Sequence, residues 1–143
     1  MNVESILRGK GTGVVTIQPD ETMSRAISLL AEKKIGAVVV SDDGMKVAGI
    51  LSERDIVRGL AEGGKAALDR PVSAFMTAKV ITCAREDKVD ELMSKMTAGR
   101  FRHLPVVVDG TLFGIISIGD VVKARIEDVE AEAEQLRGFI MGG

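Results

Sequence analysis

The chain has 143 residues, 45% of them hydrophobic and 28% charged, the make-up of a folded protein with one substantial core or two small ones. A formal charge of -2 gives no electrostatic footing for nucleic acid, and 3% aromatics without Trp or Tyr leave no platform for stacking bases. One cysteine, Cys83, excludes an internal disulfide, and the lack of a membrane-length apolar run or signal-peptide segment makes a cytoplasmic location the default expectation.

Val3, Ile6 and Leu7 have helical spacing and predict a short N-terminal helix. The Gly-rich stretch Arg8 to Gly13 follows. Its Gly-Lys order is not that of a Walker motif and no strand precedes it, so it is expected to be a flexible connector. Val14 to Ile17 reads as a strand. Met23, Ala26, Ile27 and Leu30 mark one face of a helix, with acids near its start and Lys33 and Lys34 at its end. Ala37 to Val40 is a short buried strand, Asp42-Asp43-Gly44 a hairpin turn, and Val47 to Leu51 the returning strand. The helix after Ser52 carries Ile56, Val57 and Leu60 and ends at Glu62-Gly63-Gly64; Pro71 closes the linker.

The second half repeats this order. Val72, Phe75 and Met76 echo the first short helix, and Val80 to Cys83 reads as a strand with a packed core thiol. Val89, Leu92, Met93 and Met96 answer Met23, Ala26, Ile27 and Leu30 one for one, at a constant offset. Leu104 to Val108, Asp109-Gly110 and Leu112 to Ile116 complete a second hairpin. The expected fold is α/β (α+β): two β-α-β-β-α units that bury their apolar faces against each other. The units divide into residues 1–68, with the N-terminal helix, and 69–143, with a C-terminal helical extension.

One stretch recurs with its chemistry intact. Gly49-Ile50-Leu51-Ser52-Glu53-Arg54-Asp55 returns as Gly114-Ile115-Ile116-Ser117-Ile118-Gly119-Asp120, with Gly, Ser and Asp in the same register. Each copy reads as a strand ending at its Ser and turning directly into a helix. Free backbone N–H groups and the positive end of the helix dipole collect there, which suits an anion or a hydroxyl-rich ligand. Ser followed by Asp at the third position after it is also a plain helix cap.

The last helix outruns its counterpart. Val122, Ile126, Val129, Ala133, Leu136 and Ile140 are spaced 4, 3, 4, 3, 4, with charged residues between them. That is a heptad-like seam, open to two readings: a self-association surface or a helix lying on its own domain.

The tandem pattern resembles the CBS-domain pair, or Bateman module, over nearly the whole chain, and most resembles small stand-alone bacterial pairs. The resemblance rests on the two strand-to-helix motifs and on the segments before them, Ile35-Gly36-Ala37-Val38-Val39-Val40 and Arg102-His103-Leu104-Pro105-Val106-Val107. It implies a flat pseudo-twofold module with two clefts that bind adenine nucleotides: AMP first, with ATP, ADP or NAD(H) as alternatives. It also implies a disc-shaped homodimer. In the family, the acid of one repeat closes a cleft whose base-binding wall belongs to the other. Carried over, one site joins Ser117, Gly119 and Asp120 to Thr16, Gln18, Ile35, Gly36 and Ala37. The other joins Ser52, Arg54 and Asp55 to Thr82, Ala84, Arg102, His103 and Leu104.

The residue types suit these roles. A carboxylate accepts both ribose hydroxyls in charge-assisted bonds, and small residues such as Gly36 let a base approach the main chain. Arg102 and His103 are expected to add positive charge to one cleft only, since Gly36 and Ala37 are their counterparts. Arg54 either reaches phosphate or pairs with Glu53 or Asp55. The leading reading is a non-catalytic nucleotide-sensing module. An enzyme is the weaker alternative: one His, one Cys, no metal-ligand cluster and no nucleophile beside a base. A dimerisation or adaptor protein with empty clefts is the third. No nucleic acid, membrane, metal or catalytic cofactor is expected.

Overall fold

A computed structural model describes residues 1–142. Helix α1 (Val3–Lys10) leads to a short strand β1 (Thr16–Ile17) and helix α2 (Met23–Lys33). Strands β2 (Ala37–Val40) and β3 (Gly49–Ser52) follow, then α3 (Glu53–Gly63). Two 3-10 turns, Gly64–Asp69 and Val72–Ala74, form the linker. The second repeat has α4 (Val89–Gly99), β4 (His103–Val108), β5 (Thr111–Ser117) and the long α5 (Ile118–Gly142).

In the first repeat β2 lies centrally, parallel to β1 and antiparallel to β3. Its four residues, Ala-Val-Val-Val, are all buried, as expected of a β-branched strand covered on both faces. In the second repeat β4 and β5 pair antiparallel around Asp109-Gly110, whose φ angles of 52° and 76° suit a two-residue hairpin turn. The first loop is longer. There Asp43 Oδ1 accepts the N–H groups of Met45 and Lys46, and β3 begins at Gly49 rather than Val47.

The strand expected over Val80 to Cys83 does not form; only Cys83 bridges to Val106. The cause is one residue. In the first repeat Val39 N–H donates to Val15 carbonyl at 3.4 Å. The counterpart of Val39 in the second repeat is Pro105, which has no N–H to give to Ile81. The pairing survives only where Cys83 N–H donates to Pro105 carbonyl and Val107 N–H to Cys83 carbonyl, each at 3.0 Å.

Two cores result, and each contains a segment from the other half of the chain. The first joins α2, β2, β3 and α3 to Val72, with Phe75 and Met76 packed against it. The second joins α4, β4, β5 and α5 to Val3, Ile6 and Leu7 of α1. The expected boundary placed α1 with the first repeat; its apolar face is instead buried in the second. Nor is Arg8 to Gly13 wholly a connector, because α1 runs to Lys10 and stops at Gly11 in a positive-φ conformation of 99°.

The motif glycines mark the sites of this exchange. A Cβ on Gly49 would stand 2.6 Å from Met76 Sδ and 2.9 Å from the Thr77 carbonyl. Thr77 is held there by reciprocal backbone bonds with Ile50 of 3.0 and 2.9 Å. On Gly114 a Cβ would meet the Leu7 methyls at 3.0 and 3.1 Å.

Helix α5 buries Val121 and Ala124 against its own domain. The seam residues Val122, Ile126, Val129, Leu136 and Ile140 are exposed, so the reading in which the seam lies on its own domain does not hold.

A flexible side chain can shift, whereas a paired backbone carbonyl cannot. Gly49→Ala is therefore expected to destabilise the protein by about 1–3 kcal/mol, and Gly114→Ala by less. Urea unfolding of the two variants checks this, and equal losses would contradict the packing described.

Candidate functional site

Both strand-to-helix junctions are reciprocally capped. Ser52 Oγ accepts from Asp55 N–H at 3.4 Å, and Asp55 Oδ2 accepts from Ser52 N–H at 2.9 Å. Ser117 and Asp120 repeat the pair at 3.2 and 2.9 Å. The first N–H of each helix then donates to the segment before the neighbouring strand. Glu53 N–H reaches Gly36 carbonyl at 3.0 Å, and Ile118 N–H reaches Arg102 carbonyl at 2.8 Å. Capping is thus fulfilled in both repeats, and it fixes where each carboxylate sits.

A cavity of about 730 Å³ lies between the repeats. Of the residues expected in one site, it brings together Ser52, Arg54, Asp55, Arg102 and His103. Thr82 and Ala84 stay out of its wall, and Leu104 is fully buried in the second core. Residues not foreseen add to the wall, among them Thr77, Lys79 to Ile81, Gly99 to Phe101, Glu53 and Arg58. Phe101 holds the place in the second repeat that Ile35 holds in the first, and the repeat alignment alone would have pointed to it.

Most of the second expected set lies outside this cavity. Gly36 and Ser117 line the same cavity as the first set. Ala37 is buried, Ile35 packs against the first core, and Gln18 is exposed, its amide 3.5 Å from Asp42 carbonyl. Thr16 lies in β1, opposite Val39, and Gly119 is exposed in the first turn of α5.

Charge separates the two junctions. Lys79, Arg54, Arg58, Arg100 and Arg102 line the cavity against Glu53 and Asp55. A chain that is net acidic therefore surrounds this cavity with cations. Arg54 pairs with neither neighbouring acid; its Nη1 donates to Arg100 carbonyl at 3.3 Å. Arg58 approaches Asp55 Oδ1 at 3.6 Å. At the other junction Lys10 Nζ donates to Asp120 Oδ2 at 2.6 Å and to Ile115 carbonyl at 2.9 Å. Burial raises the Asp120 pKa, but the bonds from Lys10 and Ser117 outweigh it and hold the carboxyl below its usual range. Lys10 fell in the stretch expected to be a connector. Its position depends on α1 crossing to the second repeat, which no local pattern shows.

His103 does not supply the expected charge. Burial disfavours its cation first, and Lys10 and Arg102 add repulsion, which together outweigh Glu53 and Asp120 and lower its pKa from 6.5. The imidazole is neutral at pH 7 and packs beside Gly36, where a Cβ would lie 3.4 Å from its Cε1 and Nε2. Cations in this cavity are therefore Arg and Lys alone.

His103 is the single histidine, so its ring proton resonance titrates without overlap. The midpoint is expected below 6.5, and Lys10→Ala or Arg102→Ala should raise it. The unfolded chain takes up this proton first. The resulting stabilisation is complete above about pH 6.5 and is lost as pH falls toward the folded midpoint. A folded-state midpoint at or above 6.5 would contradict the site geometry.

The chain matches the CBS domain profile twice, over residues 10–62 and 72–127. Among solved structures, it is similar to the CBS-domain containing protein ATU1752 from Agrobacterium tumefaciens. The two are 51% identical, with a TM-score of 0.85, 87% of this chain and 99% of that one being covered. It is 33% identical to the mitochondrial CBS domain-containing protein CBSX3 of Arabidopsis thaliana, over 99% of this chain and 72% of the relative. It also resembles the CBS domain pair of protein MJ0100, solved with 5'-methylthioadenosine and S-adenosyl-L-methionine. That likeness is 25% identity with a TM-score of 0.77 over 87% of this chain and 98% of the other. Two capped strand-to-helix units, exchanged core segments, an inter-repeat cavity and these likenesses agree: the chain belongs to the CBS-domain family, as a tandem pair of CBS domains.

Proposed function

We propose that this CBS pair is a non-catalytic regulatory module that binds an adenine nucleotide in the inter-repeat cavity. The observation that carries the reading is the cavity's five cationic side chains gathered around Ser52 and Asp55. At about 730 Å³ it has the size of a small-molecule site. Asp55 and the start of α3 suit a ribose and a phosphate, and Phe101 and Ile81 offer apolar surface for a base.

The related MJ0100 pair was solved with adenosine compounds bearing sulfur substituents. Here the cationic lining favours an adenosine with a phosphate tail instead. ATP, ADP or NAD(H) suits this cavity better than AMP, because each added phosphate needs further donors. AMP is left to the Asp120 junction, where its ribose must displace Lys10 from the carboxylate.

A ligand held by both repeats favours whichever relative arrangement of them gives the most contacts. Occupancy thereby becomes a shape change that a regulated partner can read.

Calorimetry on the Arg102→Ala variant is expected to show a larger loss of affinity for ATP than for AMP. Asp55→Ala should weaken the cavity's nucleotide at least about tenfold, since each charge-assisted bond contributes about 1.5–3 kcal/mol. If Asp55 only caps α3, the variant loses about 0.3–1 kcal/mol of stability and binds nucleotide as before. No melting shift with AMP, ADP, ATP or NADH would overturn the proposal and favour an adaptor with empty clefts.

A further inference from the structure

Lys10 stands in the Gly-rich stretch Gly9 to Gly13, and the motif glycines give it a counterpart. Leu7 packs where Gly114 lacks a side chain, as Met76 does at Gly49. Three residues beyond each of them is a lysine, Lys10 in one case and Lys79 in the other. The two lysines are used differently. Lys79 lines the inter-repeat cavity, and the acid of that junction, Asp55, has Arg58 of its own helix 3.6 Å away. Lys10 closes on the acid itself. Its Nζ donates to Asp120 Oδ2 at 2.6 Å and to Ile115 carbonyl at 2.9 Å.

The backbone accounts for the difference. In the first repeat the chain leaves its 3-10 turn and pairs with β3, so that Ile50 carbonyl accepts from Thr77 N–H at 2.9 Å. In the second, α1 stays helical as far as Lys10. Ile115 is the counterpart of Ile50, and its carbonyl meets an ammonium where that of Ile50 meets a backbone N–H. A paired main chain is fixed, whereas a lysine head on a flexible four-carbon stem can change partner without disturbing the sheet. Val3, Ile6 and Leu7 keep α1 in the second core while it does so. The segment around it leaves room, since a Cβ on Gly9, Gly11 or Gly13 would meet nothing within 4 Å.

We infer that Lys10 is a selectivity gate at the Asp120 junction: it holds the carboxylate and yields it only to an adenosine that carries a phosphate, which takes the ammonium in exchange. This rests on the nucleotide reading proposed above and adds the residue that selects for the phosphate. With AMP the exchange leaves no charge alone. The ribose hydroxyls replace Lys10 on Asp120, and the phosphate replaces Asp120 on Lys10. Adenosine brings the hydroxyls and no anion, so its binding strips Lys10 of its counter-ion. The loss counts here because the pair is sheltered: the Asp120 side chain is 25% exposed and that of Lys10 36%. Partly buried charges are screened less than those on an open surface.

Calorimetry with AMP and adenosine tests the gate. In the Asp55→Ala chain, whose cavity site is weakened, AMP is expected to bind the Asp120 junction at least about tenfold more tightly than adenosine. Adding Lys10→Met, which keeps the apolar stem and the helix propensity, should tighten adenosine and bring the two ligands within about threefold of each other. Lys10→Arg should keep the preference for AMP, because it keeps the charge. A preference unmoved by Lys10→Met, equal binding of the two ligands while Lys10 is present, or AMP binding untouched by a further Asp120→Ala would each overturn the gate. So would no binding of either ligand at this junction. The cavity reading is then judged apart from it, by whether ATP raises the melting temperature of the wild-type chain and Asp55→Ala diminishes that rise.

Discussion

Neither repeat closes its own core. The first is completed by Val72, Phe75 and Met76 from the linker, and the second by Val3, Ile6 and Leu7 from the opposite end of the chain. This exchange rests on two glycines at equivalent places, Gly49 and Gly114, where the missing side chain admits the incoming segment. Everything at the site follows from it. The linker pairs with β3 through Thr77 and Ile50, which brings Lys79 to Ile81 to the cavity wall. The N-terminal helix lies along β5, which brings Lys10 to Asp120. The same packing rule thus delivers Lys79, Val80 and Ile81 to one cleft and Lys10 to the other.

The capped helix starts are equal in the two repeats; their surroundings are not. Asp55 is 7% exposed and has an arginine behind it, whereas Asp120 is held by a lysine from another element. A symmetric backbone with asymmetric charge is a way to give one fold two affinities. Between the two junctions sits His103, its backbone opposite Ser117 and its ring against Gly36. Burial first holds its ring pKa down, and Lys10 near Asp120 and Arg102 at the cavity add to it from either side.

Much of this was legible in the residues. The recurring Ser and Asp located both helix starts, and the apolar spacing located every long helix. Local chemistry determines such features, so local pattern reveals them. Two of the misreadings share a different cause. The strand at Val80 failed because Pro105 stands on the neighbouring strand, beyond the whole of α4. Lys10 reached a carboxylate at the far end of the chain. The cavity wall at Gly99 to Phe101 depends on where α4 ends, with Arg100 in a left-handed conformation of φ 55°. The first two are set by what lies across a core or a sheet, which spacing along one segment does not record, whereas the third repeats the left-handed end of α2 at Lys34 and was readable from the repeat alignment.

The exchange of segments also orders events in time. Chain synthesis makes α1 well before residues 83 to 124, which build the groove that receives it. Until then Val3, Ile6 and Leu7 have no surface of their own to cover them. The core of the first repeat, by contrast, draws on no residue beyond Met76. Closure of the second core therefore joins residues separated by most of the described chain, and such non-local contacts are the slow ones to form.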